Sequence, residues 1–439
     1  MNRSFFVRLH RWAGLAMAGF LILAGTTGSL LAFQQELNHW LTPELYPEPR
    51  PGPLIEPAAL AHRAETLAPQ GRAKTVYIGY PGTALIGMGP RPGAAPLDFD
   101  TLFLDPTDGR ELGRIKSGGP PTALFGVFPT TLSAIMPFIY DLHMTLALGN
   151  VGAWILGIFA LIWTLDCFVA LYLTLPAGAF GLSNFFTRWK CAWSIKFRSS
   201  FFRVNFDLHR AGGLWLWIPL LIFAWSSVSF KLPTLYRTTM QMLFEYQPPA
   251  WALPPPQHAV EGKLPLTWDD AQAIGRKLMA EEADRHKFTV ERELALYILP
   301  DDGYAEYRVR SSRDIGMITG QTSIFFDAYT GALQNVILPT GHRPGNSITT
   351  WLIELHMANL FGLPYRVFVC GLGFLIVMLS GTGVYIWWKK RSARSQHVGR
   401  AWRRLRRPNG RAIDSDALAF STDEATNGSR SGHANKSHP

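Results

Sequence analysis

The sequence predicts an α-helical integral membrane protein: a four-helix transmembrane bundle built from an internal duplication, with two small α+β modules outside the bilayer. Three observations predict it. Four apolar runs, residues 12–33, 151–175, 211–230 and 367–388, are each long enough to cross a bilayer, which takes about 20 apolar residues in a helix. A Leu-His pair stands at the entrance of each run, in two distinct frames. Hydrophobic residues make up 48% of the 439 and charged residues only 17%, too few charges for an ordinary soluble protein.

The two frames define the repeat. His10 and His209 are each preceded by Leu and followed by Arg, with Gly14-Leu15 or Gly213-Leu214 soon after. His143 and His356 each sit in an acidic-Leu-His-Met frame, ahead of a Gly-containing break and a second apolar run. Each half of the chain thus carries one His of each kind. A period this long is no solenoid; it is the parallel-repeat layout of some membrane proteins.

The net charge of +10 could suggest nucleic acid, but its distribution argues against that partner. Basic residues gather at membrane ends on one side: Arg3, Arg8 and Arg11; Arg188, Lys190, Lys196, Arg198, Arg203 and Arg210; Lys389, Lys390, Arg391 and Arg394. The positive-inside rule makes these segments cytoplasmic. Four spans with both termini in the cytoplasm are self-consistent. The first run is longer than the apolar core of a signal peptide, and its counterpart at 211–230 is internal, so it reads as an uncleaved span.

The elements follow in order. Residues 1–33 are the cytoplasmic N-terminus and first transmembrane helix. Residues 34–142 form the first outward module: a Pro-rich strap over 43–57, a helix over 58–67, strands over 74–80 and 84–89, then a strand-turn-strand over 101–112 whose turn is Asp105-Pro106-Thr107-Asp108-Gly109. Residues 124–148 are apolar, interrupted by Pro129 and Pro137, and read as an interfacial helix that delivers His143. The second transmembrane helix is 143–175, and 176–210 is a basic cytoplasmic loop. Residues 211–230 are the third helix.

Residues 231–355 repeat the outward grammar. A helix covers 267–283 with Thr267 or Asp269 as cap. Strands cover 288–290, 294–299 and 304–310 around the turn Asp301-Asp302-Gly303, and 323–333 form a second strand-turn-strand. Residues 356–388 are the fourth helix, and 389–439 a basic, largely disordered cytoplasmic tail. Cys167 and Cys370 fall in spans and Cys191 in the cytoplasmic loop, so no disulfide framework exists. No Gly-x-Gly-x-x-Gly lies between strand and helix, there is no Walker motif, and no Cys-x-x-Cys-His would attach haem covalently. Asp166, near the cytoplasmic end of the second span, reads either as a proton or quinol contact or as a polar partner for a neighbouring helix. The glycines Gly25, Gly28, Gly381 and Gly383 allow close helix approach or leave room for a flat cofactor.

The Leu-His-Arg-x-x-Gly-Leu start, the Asp-Pro/Ala-x-x-Gly hairpins, the Leu-His-Met entrances and the exit Gly381-Thr382-Gly383-Val384-Tyr385-Ile386-Trp387-Trp388 together resemble the PepSY-associated transmembrane proteins over residues 5–390. The resemblance implies PepSY-like periplasmic modules and similarity to inner-membrane haem-b ferrisiderophore reductases of iron uptake. The chemistry of the residues agrees. Imidazole is a good iron ligand, and electron-transfer haem takes two strong axial ligands.

The topology sets His10 with His209 on the inner side and His143 with His356 on the outer side, so two b-type haems are expected, one near each face. Arg11 and Arg210 could bind haem propionates of the inner pair; Arg366 is the nearest basic residue to the outer one. His342 is the substitute ligand if the outer helices break at Pro137, Gly149, Gly362 or Pro364. The expected function is reduction of ferric iron, as ferric siderophore, at the periplasmic face. The donor would be quinol or a cytoplasmic reductase. The alternatives from other classes are a non-enzymatic PepSY-type periplasmic sensor or regulator, and a transporter subunit.

Overall fold

The computed structural model describes residues 2–116, 131–178, 182–248 and 264–405. The expectations for 124–130 and for the tail past 405 lie outside the described residues. The chain divides into a large unit, Met1–Ile386, and a C-terminal unit, Trp387–Pro439. In chain order the helices are α1 (Arg3–Leu31), α2 (Gln34–Leu41), α3 (Pro57–Leu67), α4 (Ile135–Thr145), α5 (Gly149–Thr174), α6 (Leu182–Trp189), α7 (Phe201–Trp215), α8 (Trp217–Lys231), α9 (Pro233–Leu243), α10 (Trp268–His286), α11 (Pro344–His356) and α12 (Gly362–Leu405). The strands are β1 (Gly71–Tyr80), β2 (Thr83–Pro90), β3 (Thr101–Leu104), β4 (Glu111–Ile115), β5 (Val290–Leu299), β6 (Tyr304–Ser311), β7 (Thr322–Asp327) and β8 (Leu333–Ile337).

Among the described residues three helices are long and apolar enough to cross a membrane: α1, α5 and Gly362–Ala393 of α12. Their apolar side chains face outward as well as inward. On α5, Val151, Trp154, Ile158, Leu165 and Phe168 form one exposed stripe, a surface suited to lipid rather than water. The third run departs from expectation. Residues 211–230 are not one straight span but parts of α7 and α8, which meet at a 68° bend. Pro219 is the cause. It has no N–H to give the carbonyl of Trp215, and its ring crowds that carbonyl, so the helix stops at Trp215 and restarts at Trp217.

The second and fourth long helices begin at Gly149 and Gly362, so His143 and His356 stand at the ends of the short helices α4 and α11. Each junction turns through left-handed backbone: Leu146, Ala147 and Gly149 at φ 56°, 53° and 55°, and Ala358, Phe361 and Gly362 at 54°, 55° and 63°. Four non-glycine residues in this region at equivalent joints mark built turns rather than frayed ends. Pro137 and Pro364 break nothing, because each falls in a first helical turn, where its N–H would lack an intrahelical partner anyway.

The two α+β modules are one body, not two. All eight strands form a single antiparallel sheet in the order β4-β3-β2-β1-β5-β6-β7-β8. The halves meet where Thr75, Val76 and Tyr77 of β1 pair with Tyr297, Leu296 and Ala295 of β5. Helices α3 and α10 cover one face, and Leu60, Ala64, Val76, Ile86, Leu296 and Phe326 lie in the continuous core beneath them. The duplication shows in the turns. Asp105 Oδ1 accepts from the Thr107 N–H, and Asp327 Oδ1 from the Tyr329 N–H, both at 2.9 Å, while Gly109 and Gly331 supply φ of 69° and 73°. Thr267 caps α10 by accepting from the Asp270 N–H.

Candidate functional site

The site is built from four imidazoles in two pairs. His10 on α1 and His209 on α7 have ring centres 6.0 Å apart. His143 on α4 and His356 on α11 have ring centres 6.4 Å apart. The pairs are distant from one another. Thr27, which touches His143, follows His10 by seventeen residues of unbroken α1, about 26 Å at 1.5 Å rise per residue. Leu21, Trp163, Leu220, Ala224 and Leu372 belong to an apolar cluster packed along the same helices.

Every ring is held through Nδ1. Asp166 of α5 offers two carboxylate oxygens to His10 Nδ1 at 2.9 and 3.0 Å. Thr27 Oγ1 lies 2.9 Å from His143 Nδ1, and Ser226 Oγ of α8 lies 2.7 Å from His356 Nδ1. His209 Nδ1 meets the Leu379 carbonyl at 3.0 Å and Thr382 Oγ1 at 3.2 Å. Each hydroxyl also reaches a carbonyl of its own helix: Thr27 that of Leu23, Ser226 that of Ile222, Thr382 that of Met378, all within 2.8 Å. A carboxylate and a carbonyl only accept, so Nδ1 of His10 and of His209 donates, and in a neutral ring that leaves Nε2 the lone pair that ligates metals.

Two glycines make room for these rings. A Cβ on Gly28 would stand 3.2 Å from His143 Cε1, and one on Gly383 would stand 3.2 Å from His209 Cε1. Each follows the threonine that holds the same ring, so Thr27-Gly28 and Thr382-Gly383 are matching seats. Gly25 serves helix crossing instead, its would-be Cβ meeting the Gly373 carbonyl oxygen at 2.7 Å.

A cavity of about 300 Å³ opens between the outer pair and the helices around it, walled by Phe20, Leu21, Trp163, Phe223 and Leu372 and containing both His143 and His356. Lys231 also lines it, with Nζ 3.7 Å from Met144 Sδ. Arg366, the basic residue nearest in sequence, is engaged elsewhere: its guanidinium binds Glu36 and the Ala32 carbonyl. At the inner pair, Arg210 binds Asp207 at 2.9 Å and the carbonyls of Cys191, Ala192 and Ser194, while Arg11 is half-buried with no ion-pair partner among the described residues. His342 is not near the outer pair's partners; its ring lies 4.6 Å from that of His286 at the end of α10.

Behind His356, Glu354 fastens α11 to the sheet domain. Its carboxylate is buried and bonded by the Asn359 amide, whose Oδ1 accepts from the Ile318 N–H at 2.9 Å. Burial pushes its carboxyl up to about 7.

This geometry has a specific chemical capacity. A bare metal ion needs three or four protein ligands. Among the described residues no group of three or more His, Cys, Asp or Glu could hold one. Two imidazoles this close could instead hold a metal that brings further ligands of its own. An imidazole nitrogen binds a first-row metal at about 2 Å, and the ring centre lies ~1 Å behind it, so two rings across one iron have centres ~6 Å apart. Both pairs have that spacing. The roles of Thr27, Ser226, Thr382 and Lys231 escaped the reading of the sequence; for Thr27 and Ser226 the available signal was a hydroxyl seventeen residues after each Leu-His-Arg histidine.

No curated protein sequence matches the chain. A family model does: that of the PepSY-associated TM region matches residues 7–390, a stretch that includes all four histidines and their partners, and the chain belongs to this family of membrane proteins.

Proposed function

We infer that the protein is a transmembrane haem-b electron-transfer protein that reduces ferric iron, as a ferric siderophore, at the periplasmic face of a bacterial inner membrane. The observation that carries this reading is the set of four imidazoles, paired at 6.0 and 6.4 Å, with every Nδ1 held by a group of the protein. Bound haem supplies a one-electron couple, its iron passing between the ferric and ferrous states. His10 and His209 would hold the inner haem, and His143 and His356 the outer one. Lys231 places a cation in the cavity beside His143 and His356 for an acidic group of its occupant, and Arg11, next to His10 in the sequence, would do so for the other haem.

In this reading α1, α5, α7 with α8, and α12 make four crossings, both termini are cytoplasmic, and the shared sheet is a pair of PepSY-like modules outside. Electrons enter from quinol or a cytoplasmic reductase, because no dinucleotide motif is present. Each electron delivered outside turns one ferric ion to ferrous, which a hard-oxygen siderophore holds less well.

The test is optical. The purified protein should show a Soret band and two haems per chain. His10→Ala and His209→Ala should each remove one and the same haem, and His143→Ala and His356→Ala the other, together with reduction of ferric siderophore outside. A haem-replete preparation with no Soret band sinks the reading and favours a non-enzymatic regulator.

A further inference from the structure

The four histidine seats differ in chemistry. In the outer pair the Nδ1 partners are hydroxyls at matching places, Thr27 and Ser226, each seventeen residues after the inner histidine of its own half. In the inner pair the acceptors come from the two later long helices, Asp166 on α5 and Thr382 on α12. Three seats therefore present neutral oxygen, and one presents a carboxylate. Asp166 is 8% exposed, and both of its oxygens lie within 3.0 Å of His10 Nδ1.

We propose that Asp166 is a positioning residue that sets the inner site to a lower reduction potential than the outer one, and so fixes the direction of electron flow from the inner face outward. The inference rests on the haem reading above. A carboxylate that accepts the Nδ1–H bond draws that proton toward itself and makes Nε2 a stronger electron donor than a hydroxyl does. A stronger axial donor favours the ferric over the ferrous ion, which lowers the potential. The charge acts at short range in a poorly screened interior, where it counts for more than in water. His209 faces Thr382 and the Leu379 carbonyl, and the outer pair faces only hydroxyls, so no described partner of those three rings offsets the difference. The electron balance is simple: one electron leaves the inner ferrous site and enters the outer ferric one, downhill.

The experiment is a spectroelectrochemical titration of the full-length protein that resolves the two haems, assigned by His10→Ala and His143→Ala. The native inner haem should have the lower midpoint. Asp166→Asn, which keeps the shape and an accepting oxygen, should retain two haems and raise the inner midpoint by at least tenfold in the one-electron equilibrium, 59 mV. The outer midpoint should not move. An unchanged inner midpoint, or a native inner haem that already has the higher potential, overturns the proposal while leaving the haem reading intact. Absence of haem from the native protein overturns both. If Asp166→Asn cannot hold the inner haem, Thr382→Asp decides: adding a carboxylate behind His209 must lower the same midpoint, and no shift rejects the proposal. Packing alone would not move a potential in opposite directions in these two variants.

Discussion

At the scale of the residue, what distinguishes this protein is the second ring nitrogen. A buried imidazole N–H left without an acceptor costs about 1–3 kcal/mol. Thr27→Val and Ser226→Ala each remove the acceptor of one outer histidine. Since about 1.4 kcal/mol is a factor of ten, on the haem proposal each should weaken retention of the haem assigned to His143 and His356 roughly ten- to hundredfold and spare the one assigned to His10 and His209. Haem stoichiometry after gel filtration, read at the Soret band, checks this. The glycine seats make a parallel prediction. Gly28→Ala should crowd His143 and alter the outer spectrum, and Gly383→Ala should crowd His209 and alter the inner one. The histidines themselves were legible, because a Leu-His pair in two repeated frames is a sharp signal. Their partners were not. Ser and Thr are ordinary in membrane helices, and nothing local tells a hydroxyl bonded only to its own helix from one that also receives an imidazole.

At the scale of the element, close approach decides stability. Helices α1 and α12 cross where a Cβ on Gly25 would meet the Gly373 carbonyl oxygen at 2.7 Å, and Ser29 Oγ donates to the Cys370 carbonyl at 2.9 Å. Gly25→Val or Gly373→Val must push the two backbones apart. Overpacking of this kind costs about 1–3 kcal/mol. Both variants should melt at lower temperature in detergent than the native protein, whereas Gly14→Ala, where a Cβ meets nothing within 4 Å, should not. Three of the four apolar runs became long helices as their length and composition required. The third run carried its own contradiction in Pro219, whose effect on Trp215 outweighed the hydropathy of the run. The joints after His143 and His356 were harder to see, since Leu146, Ala147, Ala358 and Phe361 give no sequence sign of a left-handed turn.

At the scale of the whole molecule, the sheet has its own pH limit. Tyr77 and Tyr80 lie together on β1 with ring centres 6.0 Å apart, and burial pushes both phenols up to about 12 from 10. The unfolded chain ionises them from pH 10, while the folded sheet keeps their protons. Stability from this source is fully present below pH 10 and is lost as pH climbs toward 12. Alkaline unfolding followed by tyrosinate absorbance should show these residues ionising with the loss of strand signal, and Tyr77→Phe should make the fall with pH shallower. The strands, helices and turns of each half could be read from sequence. Their union could not, because β1 meets β5 across some two hundred residues through three backbone pairings, and an edge carries no local mark of its partner.

That seam has a consequence for ancestry and asymmetry. Corresponding strands of two copies that pair antiparallel are what a two-fold axis generates. Each imidazole pair likewise takes one member from each half, so a single half could complete neither site and would have to function as a homodimer joined edge to edge. In such a dimer every seat would exist twice with the same side chain, and the two rings of each pair would be chemically identical. Fusion into one chain released that constraint. Joined halves can diverge seat by seat and place a carboxylate behind one histidine and a hydroxyl behind its mate, so Asp166 facing His10 opposite Thr382 facing His209 is a difference that exact two-fold symmetry forbids.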